Sequence, residues 1–315
     1  MSKRVLTLYY AEGNNFGDDL IYLTCKNALE KRGMEVVPIM GGTPCIEVIR
    51  QANECDFLLF AGGGIIEGYV PNVIRWLKED YHEMKVPYGV IGLSIGEFDY
   101  SFYKEEISFW IRNATFFYTR DQYSADYLKQ LSACDKVRAG VDNVWANEEI
   151  YLKHLTRREK GINVRDVPYP DFSGDLDWEA LNKTVKKIGF NFPIADVSGY
   201  ERKLQMESPP YSVQDVLEQI GNCKMILAMR YHVILTAAAN GIPVLMIAYC
   251  PKVQRLAEQL DMEEFVLEIN EINCIEEIYA NMEERYEELK LHLCNKSSFL
   301  KQIAIQTLEE AIEQI

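Results

Sequence analysis

The feature that most restricts the fold of this chain is a regular alternation of short, β-rich apolar runs with longer segments of helical spacing. In the first half, the apolar runs are RVLTLYY, EVVPIM, DFLLFAG, PYGVIGLS and TFFYTR. Helical spacing of apolar residues covers residues 18–32, 71–84, 101–112 and 121–131. Such an alternation of strand and helix predicts a parallel sheet with right-handed crossovers and with helices on both faces.

A break in this alternation divides the chain into two parts. From about residue 140 to 160 the sequence is polar and poorly periodic, and the alternation then resumes with the runs INVRDV, KIGFNFPI, MILAMR and VLMIAY. We therefore predict two α/β lobes, residues 1–150 and 151–315. Residues 195–212 are rich in turn-formers and are predicted to be a loop. After residue 270 an apolar stripe of helical spacing predicts a helix face that docks on the protein itself or on a second subunit.

Charge and cysteine placement restrict the class of partner. The chain has 33 Lys and Arg against 48 Asp and Glu, a net charge of −15, which repels nucleic acid and disfavours firm attachment to an anionic membrane while leaving transient contact open. The N-terminal MSKRVLTLYY lacks the apolar segment of a signal peptide, and no run is long enough to span a membrane, so we expect a soluble, cytoplasmic protein. The eight cysteines are scattered without metal-ligand spacing, so we expect reduced thiols and no metal site.

Two glycine-containing turns follow predicted strands. The first is AEGNNFGDDL, in which Asn15 and Gly17 are candidate ligand-binding residues and Asp18 can cap the following helix. The second is FAGGGIIEG, whose residues 62–64 are three consecutive glycines that can expose backbone N–H groups to an anion or a sugar hydroxyl. Open α/β sheets bind ligands at the carboxyl ends of their strands, where both turns lie. An ordinary capped turn and close helix packing are the structural alternatives.

Cationic side chains follow three other predicted strands. Arg120 ends the run TFFYTR and can bind a carboxylate or phosphate, although pairing with Asp121 or another acid explains it equally well. Tyr249 and Lys252 follow VLMIAY, and a solvated helix face is the alternative for Lys252.

The most informative pair is Arg230 and His232, which follow the strand KMILAM and precede the predicted helix VILTAAANG. Residues two apart in an extended segment point to one side, so both side chains can face one ligand. A positive group beside an imidazole at a helix N-terminus suits an anion that exchanges a proton.

The order of these motifs is more specific than any one of them. The segments NNFGDDL, GGG, GLSIGE, TRDQYSADYL, AGVDNVW and RYH…ANGIPVLMIAYCPKV together resemble the polysaccharide pyruvyl transferase family from about residue 5 to 260. The resemblance implies two Rossmann-like lobes facing a cleft in a glycosyltransferase-B-like fold, with the acceptor on the N-terminal lobe and phosphoenolpyruvate on the C-terminal lobe. It implies transfer of pyruvate onto two hydroxyls of one sugar in a cell-surface polysaccharide or its precursor, which includes a lipid-linked oligosaccharide.

The same resemblance implies roles for individual residues. The family's Arg-x-His motif matches Arg230 and His232, with Tyr231 where Leu is common, and its Arg-acid motif matches Arg120. Our hypothesis gives proton transfer to His232 and the donor's carboxylate and phosphate to the two arginines, with Lys252 adding to the clamp.

Other roles and other functions stay open at this point. Asp18 or Asp19 is a candidate base toward an acceptor hydroxyl, and the chemistry requires neither cofactor nor metal. A nucleotide-sugar glycosyltransferase, with Glu258 as its ribose-binding acid, is the first rival. A non-catalytic glycan-binding protein of the same fold is the second.

Overall fold

The computed structural model describes residues 2–9, 15–64, 66, 78–96, 98–164, 176–195, 206 and 209–315. The chain forms two compact units: residues 1–13, 18–147 and 301–315 belong to the first, and residues 14–17 and 148–300 belong to the second. The change of unit at residue 148 lies close to the predicted division at 150, but the last fifteen residues, 301–315, fall in the first unit rather than in the second.

Side-chain contacts explain why the C-terminal residues belong to the first unit. The Glu310 carboxylate accepts a hydrogen bond from the Tyr118 hydroxyl at 3.3 Å and lies 3.7 Å from the Arg138 guanidinium. The Lys3 ammonium donates to the carbonyl of Ile315 at 2.7 Å. These contacts are long-range in sequence, so the local periodicity of a helix carries no signal for them.

The first unit contains a six-stranded parallel sheet in the order β2-β1-β3-β4-β5-β6. Its strands are β1 (Arg4–Tyr9), β2 (Glu35–Met40), β3 (Phe57–Phe60), β4 (Tyr88–Leu93), β5 (Phe117–Thr119) and β6 (Val137–Ala139). Its helices include α1 (Phe16–Lys31), whose first two residues belong to the second unit, α2 (Cys45–Ala52), α3 (Lys104–Asn113) and α4 (Gln122–Ser132). The order of strands reverses between β1 and β3, which places a topological switch point at the carboxyl ends of these two strands, where such sheets bind ligands.

The predicted strands of the first unit are all present, and two short elements were missed. β6 has three residues, VRA, of which one is buried, and α2 has only eight residues and follows Pro44 in a turn-rich stretch, so both elements are too short for a clear prediction. Of the predicted helix 71–84, residues 71–77 lie outside the described residues, and residues 78–83 form helical turns. The core is aromatic, because the buried Trp110 ring packs edge-on against Phe60 at 5.3 Å and Phe117 at 4.9 Å.

The second unit contains a five-stranded parallel sheet in the order β11-β10-β9-β7-β8. Its strands are β7 (Glu159–Asn163), β8 (Phe192–Pro193), β9 (Cys223–Ala228), β10 (Val244–Ala248) and β11 (Val266–Glu268). Its helices include α5 (Trp178–Ile188), α6 (Val213–Gly221), α7 (Tyr231–Ala239), α8 (Pro251–Leu260), α9 (Ile275–Glu284) and the first part of α10 (Tyr286–Ile312).

Three details of the second unit differ from the sequence prediction or extend it. The run KIGFNFPI is mostly not a strand, because α5 continues to Ile188 and ends at Gly189, whose φ of 87° permits a left-handed cap. The strand β11 was not predicted from the sequence. Most of the predicted loop 195–212 lies outside the described residues. The C-terminal apolar stripe is covered by the protein itself, since its central residues Met282 and Leu289 are buried.

Candidate functional site

Three strands of the second unit end together and position its candidate residues. Ala228 at the end of β9 pairs with Asn163 on one side and with Met246 on the other. The segments after β9 and β10 therefore start at one level of the same sheet edge, as the parallel topology requires. Arg230 follows β9 and Tyr249 follows β10 at this edge.

Arg230 occupies the N-cap position of α7, with φ −83° and ψ 124°. Its backbone N–H donates to Asn163 Oδ1 at 3.3 Å, and Asn163, fully buried, also donates through Nδ2 to the Ile194 carbonyl at 2.9 Å. The helix begins at Tyr231, two residues earlier than predicted. The expectation that Arg230 and His232 alternate along an extended segment was therefore wrong, because His232 lies in the first helical turn.

His232 packs directly against the backbone at the start of α1. A Cβ atom placed on Gly17 would lie only 2.1 Å from His232 Nδ1, so the absence of a side chain at residue 17 makes room for the imidazole ring. The ring also meets the Tyr231 ring edge-on, with centroids 5.0 Å apart. Gly17 was predicted to let a ligand come close to the backbone. In the structure the His232 ring occupies the space beside Gly17.

The cap of α1 differs from the predicted one. Asn15 precedes the helix, and its Oδ1 accepts a hydrogen bond from the Gly17 N–H at 3.1 Å, as an N-cap side chain does. Asp18, predicted as the cap alternative, lies inside the first turn together with Asp19. Both carboxylates are favoured there by the positive end of the helix dipole.

Tyr249 and Lys252 lie beside Arg230. The Lys252 ammonium is 5.9 Å from the centre of the Tyr249 ring. Burial raises the pKa of the Tyr249 hydroxyl above its ordinary value, although the positive charges of Lys252 and Arg230 act in the opposite direction. The Tyr249 hydroxyl therefore remains protonated at neutral pH and can donate a hydrogen bond. The second unit thus brings two cations, an imidazole and a phenol to one sheet edge.

The first unit gathers the glycine turn and Asp18. Gly62 and Gly63 have φ values of 101° and 79°, and a Cβ on Gly62 would lie 2.5 Å from the Ile91 carbonyl oxygen. Gly62 is thus explained by close packing against the backbone of β4, rather than by the close packing of a helix that was the alternative to ligand binding. A Cβ placed on Gly63 would lie 3.9 Å from Asp18 Oδ1. Gly64, the next residue of the turn, is exposed. This turn and Asp18 therefore face each other at the switch point of the sheet.

Arg120 forms a buried ion pair. Its Nη1 lies 3.2 Å from Asp142 Oδ2, and the two side chains are only 3% and 2% exposed. Asp142 Oδ1 also accepts from the Val144 N–H at 3.0 Å. The prediction left open a pairing with Asp121 or another acid. The structure shows Asp142 as that acid, whereas Asp121 caps α4 by accepting from the Ser124 N–H.

We expect Asp142→Ala to destabilise the first unit strongly, because it leaves the Arg120 guanidinium buried without its carboxylate. Removing one partner of a buried pair costs about 3–5 kcal/mol, and for a unit of this size each kcal/mol lowers Tm by roughly 2–4 °C. Urea unfolding and thermal unfolding measure the effect. Asp142→Asn, which keeps the hydrogen-bond acceptor, should lose less. A destabilisation by Asp142→Ala of under about 1 kcal/mol would contradict this account of the pair.

Sequence reasoning assigned no role to Asn163, Asp142 or Asn143. Asn163 ends β7 and orients the Arg230 backbone, while Asn143 is 1% exposed and fits against Gly92, where a Cβ would lie 2.6 Å from its Nδ2. For Asn163 the available signal was a polar residue at the carboxyl end of a strand. Among the described residues no group of three His, Cys, Asp or Glu side chains is arranged to hold a metal ion, and all eight cysteines are thiols. None of the described helices is long and apolar enough to cross a membrane.

Three solved structures are similar to this chain over nearly its whole length. Staphylococcus aureus MnaA in complex with UDP is 12% identical, with a TM-score of 0.62 over 99% of this chain and 98% of that one. UDP-GlcNAc 2-epimerase from Neisseria meningitidis bound to UDP-GlcNAc is 12% identical, with a TM-score of 0.58 over 98% and 100%. A glycosyltransferase from Rickettsia africae is 10% identical, with a TM-score of 0.56 over 98% of each chain. These likenesses confirm the predicted glycosyltransferase-B-like α/β fold.

The family follows from the sequence itself. A sequence model of the polysaccharide pyruvyl transferases matches residues 15–251, which is most of the chain. A comparison of the chain with functionally curated proteins found no match. The protein belongs to the polysaccharide pyruvyl transferase family. The resemblance noted from the motifs is thereby confirmed.

Proposed function

We propose that the protein transfers pyruvate from phosphoenolpyruvate onto two hydroxyls of one sugar of a cell-surface polysaccharide or its precursor, forming a cyclic ketal and releasing phosphate. The observation that carries the proposal is the cluster at the sheet edge of the second unit. There Arg230 and Lys252 flank the buried Tyr249, and His232 lies in the next helical turn. Two cations and a hydroxyl donor match the carboxylate and phosphate of the donor.

The reaction balances without an oxidant or a metal. A proton adds to the methylene carbon of phosphoenolpyruvate, and one sugar hydroxyl attacks the neighbouring carbon and loses its proton. The bond from that carbon to the phosphate oxygen breaks, and the phosphate leaves. The second hydroxyl then attacks the same carbon and loses its proton. Of the two hydroxyl protons, one replaces the proton used at the methylene carbon and the other ends on the released phosphate. The protein must therefore supply an acid, a base and an anion clamp.

The geometry favours particular residues for these tasks. Arg230 and Lys252 would hold the two anionic groups, and the protonated Tyr249 hydroxyl would donate to one of them. His232 would deliver the proton to the methylene carbon, because packing on Gly17 fixes its ring. Arg120 is buried against Asp142, so we assign the clamp to Arg230 and Lys252 and give Arg120 a supporting role. Asp18, facing the glycine turn of the first unit, is the base proposed for an acceptor hydroxyl.

A nucleotide-sugar transferase is the second candidate, because the similar structures contain UDP or UDP-GlcNAc. Its predicted ribose-binding acid, Glu258, is exposed and lies seven residues beyond the first residue of α8. At 1.5 Å per residue that is about 10 Å along the helix from the sheet edge. This position argues against Glu258 as a ribose ligand.

Product analysis tests the proposal. The protein is incubated with phosphoenolpyruvate and a panel of reducing-end-labelled oligosaccharides, and the products are analysed by mass spectrometry and phosphate release. We expect one acceptor to gain the mass of pyruvic acid minus one water, with one phosphate released per product. Lys252→Ala should reduce this rate by roughly tenfold or more through loss of a charged contact. Transfer of a hexose from UDP-glucose or UDP-GlcNAc to the same panel, with no pyruvylated product, would overturn the proposal.

A further inference from the structure

The first unit carries a continuous series of aromatic rings at the same sheet edge as the glycine turn. Tyr123 stacks on Tyr127 with centroids 6.3 Å apart, and Tyr127 meets Tyr100 edge-on at 5.8 Å. Tyr100 meets Phe98 edge-on at 5.3 Å, and Phe98 stacks on Tyr103 at 6.3 Å. We call these five rings the aromatic platform.

The platform combines a fixed interior with exposed ends. Tyr100 is fully buried, whereas Phe98 and Tyr123 are 42% and 44% exposed. Phe102, 81% exposed, stands on the 3-10 turn that also carries Tyr100 and Tyr103. Large aromatic side chains exposed together mark an interaction surface more often than isolated ones do.

Hydrogen bonds hold the platform to the loop after β4. The Tyr100 hydroxyl accepts from the Gly96 N–H at 3.1 Å, and the Tyr127 hydroxyl accepts from the Tyr100 N–H at 3.2 Å. In the same loop, the Ser94 N–H donates to the Gly63 carbonyl at 3.1 Å. Residues 94 and 96 are at most about 7 Å apart along the chain. The platform is therefore anchored next to the glycine turn that Asp18 faces.

We infer that the aromatic platform binds the carbohydrate acceptor by stacking its exposed rings on the C–H faces of sugar residues. The negative face of an aromatic ring attracts the weakly positive C–H groups of a pyranose, and apolar rings next to polar groups suit a ligand with both kinds of surface. The inference rests on the proposed function for the role of that ligand as acceptor. To that function the inference adds a binding surface for the acceptor, which is the aromatic platform of the first unit.

The surrounding charges favour a sugar over a membrane. Asp99 and Asp126 lie within the platform segments, whereas Glu105 and Glu106 in the first turn of the helix that follows are paired with the Lys78 ammonium at 3.1 and 3.5 Å. The two aspartates repel an anionic lipid surface, whereas their carboxylates can accept hydrogen bonds from sugar hydroxyls.

Saturation-transfer NMR tests the inference with methyl β-galactoside, methyl β-glucoside and methyl β-N-acetylmannosaminide as separate probes. We expect at least one glycoside to receive saturation on its ring C–H protons from the full-length protein. Phe98→Ala and Tyr123→Ala should each weaken that binding roughly 2- to 10-fold. Phe299→Ala is the matched control, because Phe299 is a 58% exposed phenylalanine on α10 outside the platform.

Two further measurements separate the possible failures. Thermal unfolding with phosphoenolpyruvate, run on the same samples, reports the donor site alone. If glycoside binding depends on Phe98 and Tyr123 while phosphoenolpyruvate has no effect, the platform stands and the proposed donor falls. The inference is overturned if no glycoside binds, if both platform variants bind as tightly as Phe299→Ala, or if they lose binding to vesicles that contain anionic phosphatidylserine instead of to glycosides.

Discussion

Arg230→Ala is expected to weaken binding of phosphoenolpyruvate by roughly 100-fold and to leave the fold intact. A hydrogen bond to a charged group contributes about 1.5–3 kcal/mol, which corresponds to a factor of about 10–100 in the dissociation constant, and Arg230 can form two. The cap position of Arg230 is held through its backbone, since its N–H donates to Asn163, so truncating the side chain leaves that bond in place. Isothermal calorimetry with phosphoenolpyruvate measures the loss.

The control for this prediction is Arg158→Ala. Arg158 is an exposed arginine of the same unit whose backbone N–H bonds the Asn222 carbonyl, and it lies outside the candidate site. It should bind phosphoenolpyruvate as the unmodified protein does. If Arg230→Ala retained full affinity, or lost its folded structure, Arg230 would have no place in a donor clamp.

Gly17→Ala is expected to reduce the rate of pyruvyl transfer by at least about 100-fold, the lower end of what a positioned proton donor contributes. A methyl group at residue 17 cannot coexist with the present position of the His232 ring, because the two would be 2.1 Å apart. The ring is a side chain and can rotate away, so the fold should survive. Replacing glycine by alanine near the start of α1 even favours the helix by about 0.5–1 kcal/mol.

A double-mutant cycle identifies the cause of that loss. If Gly17 acts through His232, the variant carrying both Gly17→Ala and His232→Ala should be no slower than His232→Ala alone. Thermal unfolding of each variant shows whether stability has changed. Additive losses in the cycle would instead indicate that Gly17 contacts substrate itself, which was the prediction from the sequence.

The sequence predicted the sheets well because local periodicity decides them. Every predicted strand of the first unit is present, and the elements that were missed are short, such as the eight-residue helix α2 and the three-residue strand β6. The alternation of strand and helix also places candidate residues at the carboxyl ends of strands. That is enough to nominate Arg230, His232, Tyr249 and Lys252.

Contacts between distant segments could not be predicted in the same way. Gly17 and His232 meet only in the folded chain, as do Arg120 and Asp142. Sequence spacing gives no distance between such residues, so the glycine could not be distinguished from a ligand-binding glycine, nor the buried arginine from a clamp. The cap of α1 was misassigned for a related reason: Asn15 and Asp18 are both good cap residues, and only the start of the helix at Phe16 decides between them.

The central claim is that phosphoenolpyruvate is the donor, and thermal unfolding with competing donors tests it most directly. The purified protein is unfolded with phosphoenolpyruvate, UDP-glucose, UDP-GlcNAc, a GDP sugar or a CMP sugar. A ligand at 100 times its dissociation constant stabilises the folded state by about 2.7 kcal/mol, which raises Tm by roughly 5 °C or more. We expect that increase with phosphoenolpyruvate, and its loss in Arg230→Ala. An increase with a nucleotide sugar alone would contradict the claim and identify the protein as one that binds nucleotide sugars.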